Sequence, residues 1–212
     1  MQRILLPVMI CLLVAMPLRA QDFLNHVTGK VGAGVSFPAG ILADHVNTGF
    51  NFTASGGPRF NRRLSLTLDF TLHYFNVKNS QRGAETIGLP LGSMVRMWSL
   101  TLNPGYELIK QERFTSYVTA GYGLYNRRLL PAQPGMVPVE VCDEFWGVCV
   151  SSSPVSGQTV TGNLGVYKGG YNAGGGVTFG RRTKFFVEAR YQHMFTAKAP
   201  TQVIPITFGV LW

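Results

Sequence analysis

The sequence predicts an all-β protein, an eight-stranded antiparallel up-and-down transmembrane β-barrel. Three observations predict this fold. Eight segments alternate apolar with small polar residues. Each segment is about ten residues long, which suits a tilted strand that crosses a membrane. The connections between the segments are alternately short and long. In addition, only 14% of the residues are charged, against about 25% in typical soluble domains.

The first segment of the chain has the composition of a cleaved export signal. Arg3 gives a positive start, Ile4 to Met16 form an apolar run, and Ala20 offers a small residue at a cleavage point. The run is shorter than the ~20 apolar residues that a membrane helix needs. We therefore expect a signal peptide at residues 1–20 and a barrel domain at residues 21–212.

The stretch LSLTLDFTL, residues 64–72, shows the strand pattern most clearly, because every second residue is apolar and those between are Ser, Thr and Asp. Such alternation indicates a strand with one apolar and one polar face. In chain order, the segments with this pattern are 27–37, 48–55, 64–76, 98–107, 118–124, 168–179, 185–195 and 204–212.

The connections support a membrane barrel. Those after the second, fourth and sixth strands are the short turns GPRFNRR, IKQER and GRRTK. Those after the first, third and fifth strands are longer, and the longest begins at Arg127. Short turns on one rim and long loops on the other are typical of outer-membrane barrels, in which the short turns are periplasmic. The even strand count then puts both chain ends on the periplasmic side.

Alternation alone does not say which face is inside, since a soluble lipocalin-type barrel has its apolar face inward. Here the other face is mainly Gly, Ser, Thr and Asn, and such small residues suit the narrow interior of an eight-stranded barrel. Aromatic residues also gather at both ends of the apolar face, like the two girdles of membrane barrels. They are Tyr106, Phe114, Phe179, Phe185 and Trp212 at the periplasmic end and Phe37, Phe50, Tyr74, Tyr167 and Phe195 at the other. We therefore expect the apolar face to contact lipid.

With the apolar face outward, the charged residues of the strands point into the lumen. They are Lys30, Asp69, Glu107, Lys168, Glu188 and Arg190, three of each sign. A buried unpaired charge is very costly, so we expect a closed salt-bridge network in which Arg190 is the partner of Asp69. A lumen filled in this way predicts a plugged barrel.

The C-terminal stretch FFVEARYQHMFTAKAPTQVIPITFGVLW resembles the last two strands of small bacterial outer-membrane β-barrel proteins, the group that includes the transmembrane domain of OmpA and the OmpX-like proteins. Members typically end in alternating apolar residues with a terminal aromatic residue, and Ile206, Phe208, Val210 and Trp212 fit that pattern. The resemblance implies the outer membrane of a Gram-negative bacterium and a signal read by the barrel-assembly machinery. It implies no particular activity, because the family is functionally mixed.

Two cysteines remain after removal of the signal, Cys142 and Cys149 in VEVCDEFWGVCVSS. Two nearby cysteines in an oxidising compartment most often form a disulfide. The Val-rich flanks can pair as a hairpin with DEFWG at its tip, which would stiffen the longest loop. The acidic and aromatic tip is then either a binding surface for an extracellular partner or simply a protected loop end.

Some outer-membrane barrels are enzymes, and His193 is the obvious candidate for one. Lipid A deacylases use a lipid-facing His, a Ser two residues later and a downstream acid. In this chain Phe195 occupies the serine position, and no suitable acid follows. No metal-binding or phosphate-loop motif is present, so we expect no cofactor and no catalysis. The alternatives are a lipid-modifying enzyme and a narrow pore.

The formal charge of +9 would fit a nucleic-acid partner, but the basic residues lie mostly in short turns and form no long stripe. The expected partners are outer-membrane lipids and lipopolysaccharide. The cations expected toward the outer rim, where they can pair lipopolysaccharide phosphates, are Arg82, Arg96, Arg127, Arg128 and Lys198.

Overall fold

The computed structural model describes residues 27–78, 94–130, 141–143, 148–150, 165–181, 183–196 and 200–212. Eight of its strands form one closed barrel, in the order β1-β10-β9-β8-β5-β4-β3-β2, which confirms the predicted fold. The barrel strands are β1 Val27–Ala39, β2 Gly49–Pro58, β3 Leu64–Asn76, β4 Met94–Lys110, β5 Phe114–Leu130, β8 Gly165–Phe179, β9 Lys184–Met194 and β10 Thr201–Leu211. Strands β6 Val141–Asp143 and β7 Val148–Val150 form a separate hairpin.

Every barrel strand is antiparallel to both neighbours, and the last strand closes the barrel against the first. At this seam Trp212 and Gly29 exchange two backbone hydrogen bonds, of 2.9 and 3.0 Å. Closure leaves no strand edge with unpaired N–H and C=O groups. The turns that join β2 to β3, β4 to β5 and β8 to β9 lie at one end, together with the first residue of β1 and the last residue of β10. We call it the short-turn end and the opposite end the long-loop end.

Strands β4 and β5 differ from the prediction, because each has 17 residues rather than about ten. Their extra residues pair with each other at both ends, from Met94 opposite Leu130 at the long-loop end to Lys110 opposite Thr115 at the short-turn end. Arg127, which the sequence places at the start of a loop, is therefore inside β5. The pairing of the extensions stabilises backbone that the alternation pattern alone leaves outside the strands.

The distribution of side chains is the reverse of that in a soluble protein. Within the described ranges, twenty polar or charged residues are buried against ten hydrophobic ones. Large apolar side chains cover the outer face, for example Leu68 and Leu102, each 51% exposed, and Phe208, 64% exposed. Soluble domains keep their buried interior mainly apolar, so the outer face is suited to contact lipid rather than water.

One short helix closes the long-loop end. Gly40 has a φ of +55°, a conformation that favours glycine, and it turns the chain back from β1 into α1 Leu42–His45. Lys78 then holds α1 down, with its backbone N–H donating to the carbonyl of His45 at 2.9 Å. Among the described residues, none of the helices has the length and apolar character needed to cross a membrane.

Five sequence predictions lie outside the described residues. These are the signal peptide at 1–20, Arg82, Lys198, the acidic and aromatic loop tip, of which residues 144–147 are not described, and the disulfide, because the side chains of Cys142 and Cys149 are not described.

Candidate functional site

The barrel interior is filled in layers, which we name from the short-turn end upward. The mouth cavity is an open space at the short-turn end. The charged layer consists of Lys30, Asp69, Glu188 and Arg190. The histidine layer consists of Ser36, Asn51, His73, Gln192 and Thr207. The apolar plug consists of Leu42, Val46, Phe75, Val95, Met97, Leu129 and Val203.

The charged layer contains two cations and two anions joined in one chain. Arg190 pairs with Asp69 at 2.5 Å and with Glu188 at 2.6 Å, and Lys30 pairs with Glu188 at 2.7 Å. The hydroxyl of Tyr117 also donates to Glu188, at 2.7 Å. Asp69 is on β3 and Arg190 on β9, strands that lie opposite each other in the barrel. This ion pair therefore spans the full diameter of the lumen.

Glycines of β8 make room for this layer. A Cβ atom at Gly174 would lie 2.8 Å from Cγ of Arg190, and one at Gly176 would lie 2.7 Å from Oη of Tyr117. Real Cβ atoms do not approach other atoms so closely. Backbone atoms of β9 are closer still, because the same Cβ atoms would clash with the Ala189 carbonyl oxygen at Gly174 and lie 2.6 Å from the Val187 carbonyl oxygen at Gly176. Gly174 and Gly176 therefore allow close approach of β9 and leave space for the Arg190 and Tyr117 side chains.

The six lumen charges expected from the sequence divide into three groups. Four of them form the charged layer, and Arg190 is the partner that the sequence names for Asp69. Glu107 instead lies at the short-turn mouth, where it pairs with Arg59 at 2.6 Å and with Lys110 at 2.9 Å. Lys168 is on the inward-facing register of β8 but is exposed, and it forms no ion pair within the described ranges. The network thus has four members, not six.

The histidine layer is a chain of hydrogen bonds contributed by five strands. Thr207 donates to Asn51 at 2.8 Å, and Asn51 donates to Ser36 at 3.2 Å. Ser36 Oγ lies 2.8 Å from Nδ1 of His73, whose Nε2 lies 3.1 Å from the amide oxygen of Gln192. Because that oxygen can only accept, Nε2 carries the hydrogen and Nδ1 accepts from Ser36. The His73–Gln192 contact again joins the opposite strands β3 and β9.

Ser36 and His73 have the spacing of a nucleophile and its general base. Both are 0% exposed, and the third group is an amide rather than a carboxylate, so the pair has neither access to substrate nor an acid that stabilises a protonated imidazole. Sequence reasoning missed this pair, because its members are 37 residues apart and become neighbours only when the barrel closes.

The apolar plug fills the long-loop end of the lumen. Leu42 and Val46 from the α1 region are 0% exposed and pack with inward side chains of β3, β4, β5 and β10. Just below the plug, Arg127 is 3% exposed and donates to Thr201 Oγ1 at 2.7 Å. Arg127 therefore lies toward the long-loop end, as predicted, but its side chain is buried in the lumen and is not exposed at the outer rim. Odd-numbered residues of β5 point into the lumen, so the side chain of Arg127 points inward like that of Tyr125.

The mouth cavity, of about 70 Å³, opens at the short-turn end. Its walls are hydroxyl-bearing and cationic side chains, with Glu107 as its carboxylate. A β-bulge between Glu107 and Ile109 shapes one wall. The extra residue leaves Leu108 and Ile109 both exposed outward, at 52% and 50%, and returns Lys110 to the lumen side.

On the outer face, His193 lies within an aromatic cluster. Its ring stacks on Tyr171 with centroids 5.0 Å apart and meets Phe195 edge-on at 5.3 Å. Nδ1 lies 3.3 Å from the Tyr191 hydroxyl and 3.5 Å from the Gln202 amide. Neither a serine nor a carboxylate is paired with it in the described part of the chain.

Arg96 and Arg128 are direct cross-strand partners on the outer faces of β4 and β5. They lie in line with Tyr74, which pairs with Arg96, and with Phe50, which stacks on Tyr74 at 5.0 Å. Two like charges opposite each other on a sheet repel. This patch therefore favours an anion shared between the two guanidinium groups.

In the hairpin of the longest loop, the backbone of Cys142 is the direct antiparallel partner of Cys149. Directly opposed residues have Cα atoms about 4.5 or 5.5 Å apart, and both values are within the range that a disulfide spans. The side chains of this hairpin are outside the described residues, so the disulfide stays a prediction. Elsewhere in the described ranges, no three His, Cys, Asp or Glu side chains gather where they could share a metal ion.

Neither a protein-family model nor a curated protein sequence matches this chain. Solved structures do match. Neisserial surface protein A superimposes with a TM-score of 0.55 at 13% identity, over 87% of this chain and 95% of that one. The attachment invasion locus protein Ail of Yersinia pestis, with a heparin analogue, gives 0.47 at 13% identity over 88% and 99%. OprG of Pseudomonas aeruginosa gives 0.48 at 11% identity over 88% and 95%. The similarity to Neisserial surface protein A supports the same fold, a small eight-stranded outer-membrane barrel.

Proposed function

We propose that this protein is an outer-membrane barrel with a plugged lumen, which acts through its surface and loops and has no catalytic activity. The observation that carries the proposal is that two contacts cross the full diameter of the lumen. Asp69–Arg190 and His73–Gln192 each join the opposite strands β3 and β9, at 2.5 and 3.1 Å. A solute would have to break both contacts and then displace the apolar plug.

The charge balance also supports a closed lumen. Two cations and two anions neutralise one another in the charged layer, so a permeating ion meets no unbalanced charge within that layer. The cavity beside this layer, lined by Thr53, Thr71 and Thr207 among others, has a volume of about 10 Å³, room for about one water molecule. The rival function, a narrow pore, needs a continuous polar path.

The outer-membrane location is supported by the apolar outer face, by the fold and by the pattern of β10. Ile206, Phe208 and Trp212 are exposed on the outer face, at 41%, 64% and 69%. An assembly signal that is recognised from outside the barrel needs such exposure. We propose that the barrel-assembly machinery reads these residues together with Val210, and that the chain is exported through the signal at residues 1–20.

The absence of catalysis is proposed on two grounds. Among the described residues, His193 has aromatic neighbours and an amide but no paired serine or acid, and the Ser36–His73 pair is buried inside the barrel. The rival, a lipid-modifying enzyme, would need a reactive group that faces lipid or solvent.

Planar-bilayer recording of the purified, unmutated protein tests the closed lumen. We expect no stepwise conductance above that of protein-free bilayers. Steady single-channel steps would reject the plugged barrel and favour the pore. A porin recorded in the same bilayers shows that insertion can be detected, and loss of heat-modifiable gel mobility would reveal misfolded samples.

A further inference from the structure

The short-turn end carries a strong excess of positive charge. On the three short turns and the strand ends beside them, the described cations outnumber the carboxylates by seven to two. The cations are Arg59, Arg62, Arg63, Lys110, Arg113, Arg181 and Lys184, and the carboxylates are Glu107 and Glu112. A single-sign rim attracts oppositely charged molecules and concentrates them at the opening that it surrounds.

The mouth cavity lies inside this rim and carries part of the excess. Two cations, Arg59 and Lys110, share the single carboxylate of Glu107. Lys184, which also lines the cavity, forms no ion pair with any described residue. Lys30 at the inner end is neutralised by Glu188 behind it. Glu107 balances one of the cations Arg59, Lys110 and Lys184, and the charged layer balances Lys30. The cavity wall thus keeps two unbalanced positive charges.

The rest of the wall suits an oxyanion. The hydroxyl groups of Tyr117, Thr67 and Thr119 already donate to other protein groups. The wall hydroxyls that remain as donors for a ligand are those of Thr28, Ser55, Ser65, Thr115 and Thr178. Oxygen anions accept several such bonds at once, and bonds from charged donors are the strongest. The guanidinium group of Arg59 makes one hydrogen bond among the described residues, to Glu107. Its other N–H groups therefore stay available for a ligand.

The cavity is blind. It ends at the charged layer, where Lys30 Nζ lies 5.7 Å from the centroid of the Tyr117 ring and 5.5 Å from that of Phe186. Its volume of about 70 Å³ exceeds the ~10–15 Å³ that one water molecule needs. It therefore holds a compact group of a few atoms, and a larger molecule can enter only with such a group while its remainder stays outside.

We propose that the mouth cavity is a binding site for a phosphate group, with Lys184, Arg59 and Lys110 as its cationic contacts and the threonine and serine hydroxyls as its neutral donors. The phosphate belongs either to a free phosphate compound or to the headgroup of a phospholipid in the adjacent leaflet. The site rests on the proposed closed lumen in one respect, since the charged layer forms the inner end of the cavity, but phosphate binding and ion conduction are measured separately.

The first test is titration of the refolded, isotope-labelled protein with inorganic phosphate at constant ionic strength in chloride, followed by backbone NMR. We expect saturable shifts at Lys184 and Thr178. Lys184→Gln should weaken binding about tenfold, the loss of one charge-assisted hydrogen bond. The matched control is Arg181→Gln, which removes one charge from the same rim. The Arg181 side chain is 64% exposed and pairs with Glu112, outside the cavity. The phosphate affinity of the Arg181→Gln variant should therefore stay within about twofold of that of the unmutated protein.

Absence of saturable shifts in the unmutated protein would overturn the proposal, and so would equal weakening in both variants, which would mean attraction by the rim as a whole. Should Lys184→Gln fail to fold, Thr178→Val removes a hydroxyl of the wall at nearly constant volume and should also weaken binding. In nanodiscs of phosphatidylcholine, added phosphatidic acid should compete with inorganic phosphate if the source is a lipid headgroup. If the source is soluble, it should leave the phosphate affinity unchanged.

Discussion

At the residue scale, the glutamate at position 188 holds the interior together. Its carboxylate contacts three groups, Lys30, Tyr117 and Arg190, whereas Asp69 pairs with Arg190 alone. Its two charged partners belong to β1 and β9 and its phenolic partner to β5, so it ties together strands that are not neighbours. Removing a buried carboxylate destabilises a protein most where it leaves the most partners without a counter-ion.

Replacing Glu188 by Gln should therefore destabilise the barrel by about 3–5 kcal/mol, because Lys30 and Arg190 lose a shared anion. Asp69→Asn should cost only about 1–3 kcal/mol, since Arg190 retains Glu188. Urea unfolding in lipid vesicles, read as the gel mobility of folded and unfolded forms, measures both. The control Glu112→Gln affects a carboxylate that is 83% exposed and should change stability by less than about 0.5 kcal/mol. A larger cost for Asp69→Asn than for Glu188→Gln would contradict this ranking.

Also at the residue scale, Arg96 and Arg128 should retain lipopolysaccharide. The Nε atom of Arg96 is buried without a hydrogen-bond partner among the described residues, and the two guanidinium groups oppose each other across β4 and β5. A phosphate between them would relieve their repulsion. Replacing both by Gln should lower lipopolysaccharide affinity about tenfold, equivalent to 1.4 kcal/mol.

The measurement is the amount of lipopolysaccharide that copurifies with each variant. The matched control replaces Arg62 and Arg113, on the short-turn rim, by Gln, with the same loss of charge. Equal losses in the two double variants would show that net charge, rather than the paired site, retains the lipid.

At the scale of elements, α1 is the part that turns an open barrel end into a closed one. Its four residues are too few for an independently stable helix, so packing must hold it. Leu42 and Val46 supply that packing, and Lys78 adds a hydrogen bond from Nζ to the Ala43 carbonyl at 2.5 Å.

Leu42→Ala should therefore destabilise the protein by about 2–5 kcal/mol, because the apolar plug is left with a cavity. Ile41→Ala is the control, since Ile41 is the preceding residue and is 43% exposed, and it should cost much less. Chemical unfolding gives the free energies. The Leu42 variant should still not conduct in bilayers, because the charged and histidine layers remain. Ion conduction by this variant would show that the plug alone closes the lumen.

At the scale of the whole molecule, the inverted burial pattern determines where the protein can be stable. Its apolar outer face would aggregate in water, and its polar interior provides partners for the charges that lipid excludes. In the described part of the chain, every barrel strand pairs with a neighbour on each side, so the barrel has no open edge, which is the condition for crossing a bilayer with strands.

We therefore expect the full chain, expressed in a Gram-negative bacterium, to be found in the outer-membrane fraction and to migrate differently on gels before and after boiling. Trp212→Ser should reduce the folded amount in that fraction, because the change removes the terminal aromatic residue of the proposed assembly signal. Phe60→Ser is the control, since Phe60 is 62% exposed but lies in a turn. Recovery of the unmutated protein in the soluble fraction would refute the location.

The sequence by itself determined the barrel, the strand number and the direction of each face. These features follow from a local period of two and from the lengths of the connections, which every strand repeats. The inward position of Asp69 and its opposite charge to Arg190 could be predicted for the same reason. The partners of Glu107 could not, because Arg59 and Lys110 reach it only through a turn and a β-bulge.

Only the tertiary structure decided the rest, since it depends on which strands face each other across the lumen. Residues 36, 73 and 192 form one hydrogen-bonded layer although they are far apart in the chain. Arg127 is inside because β5 continues past the point where its alternation becomes weak. The helix that plugs the long-loop end has no periodic signal, since four residues make barely one turn. The physical reason is common to all of these: periodicity sets which way a side chain points, and barrel closure sets what it meets.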